Sequence, residues 1–420
     1  MRTRFNDRTA YARYESLLKD LHSLVASGQN DTPEVETIHN QMDELEPYLS
    51  QREIERLNGL SSDLYMLQGQ EILEATNLTS KQFTEALNDA HKRNDWEQVL
   101  RLLRMNNSSV PKAARAYLRA RAYDELGSLE TALLFMELAA AMKPENKNYE
   151  NFVIIYLSRL NQLDKALSRA EKHIQDGNNS SSGLIQYAAL LFMAMETHKE
   201  KPDEGYIHKA IDVLVPTLRR ASQENISKPE LLLGYLTLGS CYEDLDDKPA
   251  ALQAYSDALQ IDPDDIAALT LRGILLAQSD WEKAVKDFER AIANHDISVT
   301  PYFYVAYASL RKGDYRRCVE LCRKIQSMTS DPDALAAVWQ WLAISQYHLD
   351  VPITIVVQNA QSASDLDPVN PHLQQTLTLF QSLQESVGTL QDVQPQPLDI
   401  FSLSMAHPDP RNYLYLSAAA

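Results

Sequence analysis

The stretch PELLLGYLTLGSCYEDLDDKPAALQAYSDALQIDP, from Pro229 to Pro263, is one copy of a period of about 34 residues that runs through most of the chain. Tyr235, Leu238, Gly239 and Tyr242 fall on one face of a first helix. Ala251, Tyr255 and Ala258 fall on one face of a second, and Pro263 closes the unit. A single pair of this kind has too little apolar surface to make its own core. It is stable only against a neighbouring copy, so the fold has to be a stack.

The small residue where the two helices touch tracks the copies, because backbones that approach closely leave no room for a large side chain. Counting from Ala251, equivalent positions are Val99, Ala132, Ala166, Ala210, Ala284, Cys318 and about Val356. Ala251 to Ala284 is 33 residues, and Ala132 to Ala166 is 34. The longer steps around Ala210, Ala251 and Val356 imply insertions, and the polar segments His198–Gly205 and Ser222–Pro229 suit that role. The turns carry fitting chemistry. Gly127 and Gly313 can take left-handed backbone angles. Pro144, Pro263 and Pro368 stop one helix or open the next. Asp262, Asp264 and Asp265 stand where helix N-termini favour negative charge.

Over roughly Thr79 to Gln384, these residues resemble the tetratricopeptide-repeat (TPR) family. The resemblance implies an all-α fold: a right-handed α-solenoid of about eight TPR-type helix hairpins, with an N-terminal helical cap and a flexible C-terminal tail. The expected organisation is 1–78, an N-terminal helical cap or interaction region; 79–384, the superhelix; and 385–420, a Pro-containing tail. Helices are expected in the first part over Thr9–Ala26, Pro33–Tyr48 and Ser50–Leu73. These helices lack the repeat signature. They read first as a cap over the first unit, and second as a homodimerising or partner-binding module. In the tail, Pro395, Pro397, Pro408 and Pro410 exclude a regular helix. Its apolar clusters, Leu398–Leu403 and Tyr413–Leu416, suit either docking on a partner or packing on the last helix of the chain itself.

In the family the first helix of each unit lines a concave groove. The resemblance then picks out Tyr117, Arg121, Ile155, Arg159, Phe192, Met193, Leu236, Thr270, Ile274, Phe303, Tyr307, Arg311 and Tyr347 as groove residues. Tyr and Arg often dominate binding energy. Tyr302, Phe303, Tyr304 and Tyr307 also look like more aromatic surface than a core needs. The implied function is a non-catalytic scaffold or adaptor that binds a protein or peptide partner in the groove, with Arg121, Arg159 and Arg311 facing acidic groups. Two alternatives are a peptide-responsive regulator hinged at the insertions and a structural subunit of a larger complex. Co-chaperones of this family clamp a C-terminal carboxylate with Lys, Asn, Asn, Lys and Arg. The matching places here hold residues such as Thr84, Asn88 and Leu118, or Leu236, Ser240 and Leu271. A chaperone C-terminus is therefore not the expected ligand.

The remaining residues narrow the function by exclusion. With 58 acidic side chains against 40 Lys and Arg, the formal charge is −18, which disfavours a phosphate backbone as partner. No HExxH, HxH, CxxC, P-loop or GxSxG pattern occurs, so no enzyme activity, cofactor or metal is expected. Cys318 and Cys322 share a helix face and read as small packing residues rather than as a redox pair. No apolar signal region or membrane-length run is present, so a cytoplasmic location is expected.

Overall fold

The computed structural model describes residues 9–106, 109–177, 180–197, 204–221, 226–294 and 298–385. Segments 198–203 and 222–225, which form most of the first expected insertion and half of the second, and the whole of 386–420 with both tail clusters, lie outside the described residues. Within them are twenty α-helices and a single isolated bridge, between Glu74 and Met105.

The chain divides into two compact units, Met1–Gly183 and Leu184–Ala420. The first holds α1 (Thr9–Ala26), α2 (Pro33–Leu45), α3 (Gln51–Leu64), α4 (Ser80–Lys92), α5 (Trp96–Leu103), α6 (Lys112–Glu125), α7 (Leu129–Met142), α8 (Lys147–Arg159) and α9 (Leu163–Gln175). The second begins within α10 (Ser181–Thr197). It continues through α11 (Glu204–Ala221), α12 (Lys228–Asp244), α13 (Lys248–Ile261), α14 (Ile266–Ala277) and α15 (Trp281–Ala293). Its last helices are α16 (Val299–Lys312), α17 (Tyr315–Gln326), α18 (Pro332–His348), α19 (Ile353–Leu366) and α20 (Pro371–Glu385). From α4 to α19 these are eight successive pairs, as the repeat phase requires.

The anchor positions explain the pairing. Val99, Ala132, Ala166, Ala210, Ala251, Ala284, Cys318 and Val356 are all fully buried. In two copies the first helix supplies a glycine against an aromatic ring of the second, Gly239 against Tyr255 and Gly273 against Phe288. A Cβ added to Gly239 on α12 would come within 2.3 Å of the Tyr255 ring on α13. Cys318 and Cys322 sit in the core of α16–α18, their sulfurs 3.9 Å apart and unlinked.

Six of the hairpins turn by one device. A residue with positive φ ends the first helix: Asn94, Gly127, Asn161, Asp246, Gly313 or Asp350. In several copies an Asp follows and caps the second helix. The carboxylates of Asp95, Asp247 and Asp314 accept from the backbone N of Gln98, Ala250 and Arg317, each at 3.2 Å. Gly127 and Gly313 are left-handed, as their place in the sequence suggests. Asp265 caps α14, accepting from Ala268 N at 2.8 Å.

In residues 9–78 the first helix has the expected bounds, and the second ends in a short 3-10 turn, Glu46–Tyr48. The third departs from expectation. It stops at Leu64, passes through a 3-10 turn over Tyr65–Gln68 and is ended by Gly69 in the left-handed region. The chain must leave the helix there, because Glu74 runs extended to exchange backbone hydrogen bonds with Arg104 O and Asn106 N, both at 2.7 Å. These helices lie along α5, α6 and α7. Asp63 accepts from Arg104 at 2.6 Å, from Arg119 at 2.8 Å and from the Tyr123 hydroxyl at 2.8 Å. Glu71 pairs with Arg115 at 2.9 Å. Glu15, buried on α1, accepts from Ser128, which precedes α7, and from Thr131 on α7.

At the other end of the second unit, α20 covers α19 with Leu373, Leu377 and Phe380. Its outward positions are Gln375, Thr378, Gln381 and Ser382, so the last helix presents a polar face.

Candidate functional site

The first helices of successive pairs carry the residues that the sequence singles out, and the structure sorts them by burial. In the second unit Phe192, Met193, Leu236 and Phe303 are buried, as is Ile155 in the first. They pack the interior and present no surface. Phe303 lies 4.5 Å from Trp341, ring centre to ring centre, and both are fully buried. Tyr304 is buried as well, stacked on Phe288 at 4.6 Å. The run Tyr302–Tyr307 thus fills core on two sides, because α16 is packed between α15 and both α17 and α18. Tyr307 remains half-buried between Trp281 and Trp341. Thr270, Ile274 and Tyr347 are half-buried, Tyr347 against Phe380, while Arg311 is exposed at the end of α16.

The first unit brings Tyr117, Arg121 and Arg159 together. Tyr117, half-buried on α6, stacks on Tyr149 of α8 at 5.3 Å and meets Phe152 at 5.6 Å. Arg121, one turn further along α6, lies over the Phe152 ring at 5.6 Å, where the ring quadrupole attracts the guanidinium. It also pairs with Glu125 at 3.5 Å. Arg159 reaches from the end of α8 to Asp124 on α6 at 2.6 Å and lies over the Tyr156 ring at 5.9 Å. The strip is therefore a ladder of aromatic rings edged by guanidinium groups held in place by carboxylates.

Burial sets its electrostatics. It raises the Asp124 carboxyl above the ordinary range, and Arg159 only partly offsets this. It raises the Tyr156 phenol too, and nearby Asp124 pushes it further up. Tyr117 is raised by burial, with Arg121 acting in the opposite sense. The Arg121 side chain is largely covered and that of Arg159 partly exposed, so the strip joins aromatic surface to a guanidinium at its edge.

Sequence reasoning missed Tyr149, Phe152, Tyr156 and Asp124. Tyr149, Phe152 and Tyr156 recur at helical spacing. That signal is hidden because α8 is buried from Phe152 to Ser158 and so lacks a clear polar face. A separate cleft of about 380 Å³ between α3 and α5 is lined by Glu55, Glu74 and Glu97 against Arg56, Arg101 and Arg104, a balanced set of charges. Among the described residues no group of three or more His, Cys, Asp or Glu is placed to hold a metal, and no helix is long and apolar enough to cross a membrane.

Antiparallel helix pairs with one small anchor each, repeated in phase, define the class: a helical repeat protein. The family model of the tetratricopeptide repeat matches residues 234–265, so the copy formed by α12 and α13 is a repeat of that kind. Repeats of this family generally form non-catalytic scaffolds for protein–protein interaction. No curated protein matches the sequence. Among solved structures, the C-terminal part of a TPR repeat-containing protein from Cytophaga hutchinsonii is 16% identical. That match covers 62% of this chain and 99% of that one, at a TM-score of 0.44. The Cut9–Hcn1 hetero-tetramer of APC/C is 16% identical over 90% of this chain and 64% of that one, at 0.43. A tetratricopeptide repeat protein from Parabacteroides merdae is 15% identical over 64% and 98%, at 0.39.

Proposed function

We propose that the protein is a non-catalytic scaffold that binds a segment of a partner polypeptide along the strip formed by α6 and α8. The observation that carries this reading is the half-buried Tyr117, stacked on Tyr149 beside two guanidinium groups that are already oriented. Pre-positioned side chains lose little freedom on binding, so contact with them is retained as affinity. Tyr and Arg in such a setting are the residue types that alanine scanning most often finds to matter. An aromatic or aliphatic side chain of the partner would rest on Tyr117, while its backbone carbonyls or a carboxylate would meet Arg121 and Arg159.

The test is retention of a partner by immobilised full-length protein, identified by mass spectrometry, with Tyr117→Ala/Arg121→Ala alongside. A partner held by the native chain and lost by the double variant, with unfolding temperatures within a few degrees, supports the strip. A partner held equally by both places binding elsewhere.

A further inference from the structure

The α16–α17 hairpin is electrostatically unlike the rest of the chain. It carries Arg311, Lys312, Arg316, Arg317, Arg323 and Lys324 against Asp314 and Glu320, a net +4 in a protein whose formal charge is −18. All six cations are exposed. Beyond Lys324 there is no Lys or Arg before Arg411, so the helices that follow bring no further positive charge.

Internal partners do not account for this charge. Arg317 pairs with Glu289 of α15 at 2.9 Å. Among the described residues, the other five cations reach no carboxylate. Asp314 is taken up in capping α17. Glu320 is one turn from Arg316 without touching it, and Arg preceding Glu is the weaker order for such a pair.

Helix dipoles explain only part of the set. Arg311 and Lys312 end α16, and Arg323 and Lys324 lie in the last turn of α17, where cations are favoured. Arg316 and Arg317 stand in the first turn of α17, at the positive end of its dipole. Glu289 compensates Arg317, and among the described residues no carboxylate pairs with Arg316. A cation kept where its own helix opposes it, without an internal partner, points outward.

The spacing suits a peptide. Arg316 and Arg323 are seven residues apart on one face, about 10 Å along the axis. Three residues of extended chain, or two helical turns, span about the same length. We propose that the exposed face of α17 docks an acidic segment of a partner protein, with Arg316 and Arg323 meeting two of its carboxylates. This face is separate from the Tyr117 strip and stands or falls without it. An acidic peptide presents a few carboxylates only where the cations are. A nucleic acid carries charge at every phosphate and meets repulsion from the acidic remainder of the chain.

Fluorescence anisotropy of a labelled decaglutamate on the full-length protein provides the test, with decaglutamine and a single-stranded oligothymidylate of equal charge as comparisons. Decaglutamate is expected to bind and to weaken at about 0.3 M salt. Arg316→Glu/Arg323→Glu should reduce its affinity about tenfold or more. Lys283→Glu/Lys286→Glu, the same charge change at exposed sites on α15, should leave it within about twofold. Equal weakening by both double variants overturns the proposal in favour of net charge alone. Tighter binding of the oligothymidylate overturns it in favour of nucleic acid. No binding to the full chain overturns it as well, whether the face is silent or already held by residues 386–420 of the same chain.

Discussion

The side-chain amide nitrogen of Gln68 donates to the backbone carbonyl of His22 at 3.1 Å and also meets Nδ1 of the same residue at 3.2 Å. The carbonyl can only accept, so it fixes which end of the amide faces the ring. Nδ1 must then be unprotonated, and the proton sits on Nε2, which donates to Ser61 Oγ at 3.0 Å. Tyr65 packs edge-on against the ring. The site accommodates neutral imidazole only, and burial lowers the His22 pKa.

The first prediction concerns pH. The unfolded chain binds a proton on His22 near pH 6.5 and the folded chain binds it only at lower pH. Between those values the unfolded state holds more protons, so stability falls as pH drops below about 6.5. His173 has the same sign, lowered by burial and then by Lys147. Thermal unfolding from pH 7.5 to 5 should therefore show a declining midpoint, and His22→Gln should remove part of the slope. An unchanged slope in that variant would refute the assignment.

A second prediction concerns Asp63, which is fully buried and receives Arg104, Arg119 and Tyr123. Asp63→Ala leaves the buried Arg119 with Glu71 as its remaining carboxylate partner. Removing one member of a buried ion pair costs about 3–5 kcal/mol. Urea unfolding of the variant should show that loss, with earlier proteolysis between residues 9 and 78. A loss below about 1 kcal/mol would mean that the residues before α4 are held by apolar contacts alone.

The repeat core was legible from a single strand of text because its constraint is local and periodic. One residue per copy must be small, and the chain places Ala, Val or Cys there each time. Turns were legible for a related reason: Gly127 and Gly313 are needed where φ is positive. The end of α3 was not, because its cause is remote. Glu74 pairs with backbone some 30 residues on, and no local pattern records that. The aromatic surface was only half legible. Helical spacing tells which residues share a face, whereas in a stack one helix is packed on several faces. Phe303 and Tyr307 share a face of α16, yet only Tyr307 reaches solvent.

A third prediction tests the close approach of α12 and α13. Gly239→Ala places a methyl group within 2.3 Å of the Tyr255 ring, which is itself fully buried and donates to Glu243 at 2.9 Å. The ring has no free volume to enter, so overpacking should cost about 1–3 kcal/mol despite the better helix propensity of Ala. A stabilised Gly239→Ala protein, measured by chemical unfolding, would show that the two helices can separate without loss.

The last prediction separates packing from recognition, using two aromatic residues that look alike in sequence. Phe303 is enclosed with Trp341, Ala337 and Val338 in the α16–α18 core, so Phe303→Ala should cost about 3–5 kcal/mol through the cavity it leaves. Tyr117 keeps part of its ring at the surface and is supported by Tyr149 and Phe152, so Tyr117→Ala should cost far less stability. On the proposed strip it should instead weaken a bound partner by about 1–3 kcal/mol, read by calorimetry once a partner is in hand. Phe303→Ala, at temperatures where it is still folded, should leave that affinity unchanged. Finding the reverse, with Phe303→Ala abolishing binding in a folded protein and Tyr117→Ala silent, would move the recognition surface from α6 and α8 to the second unit.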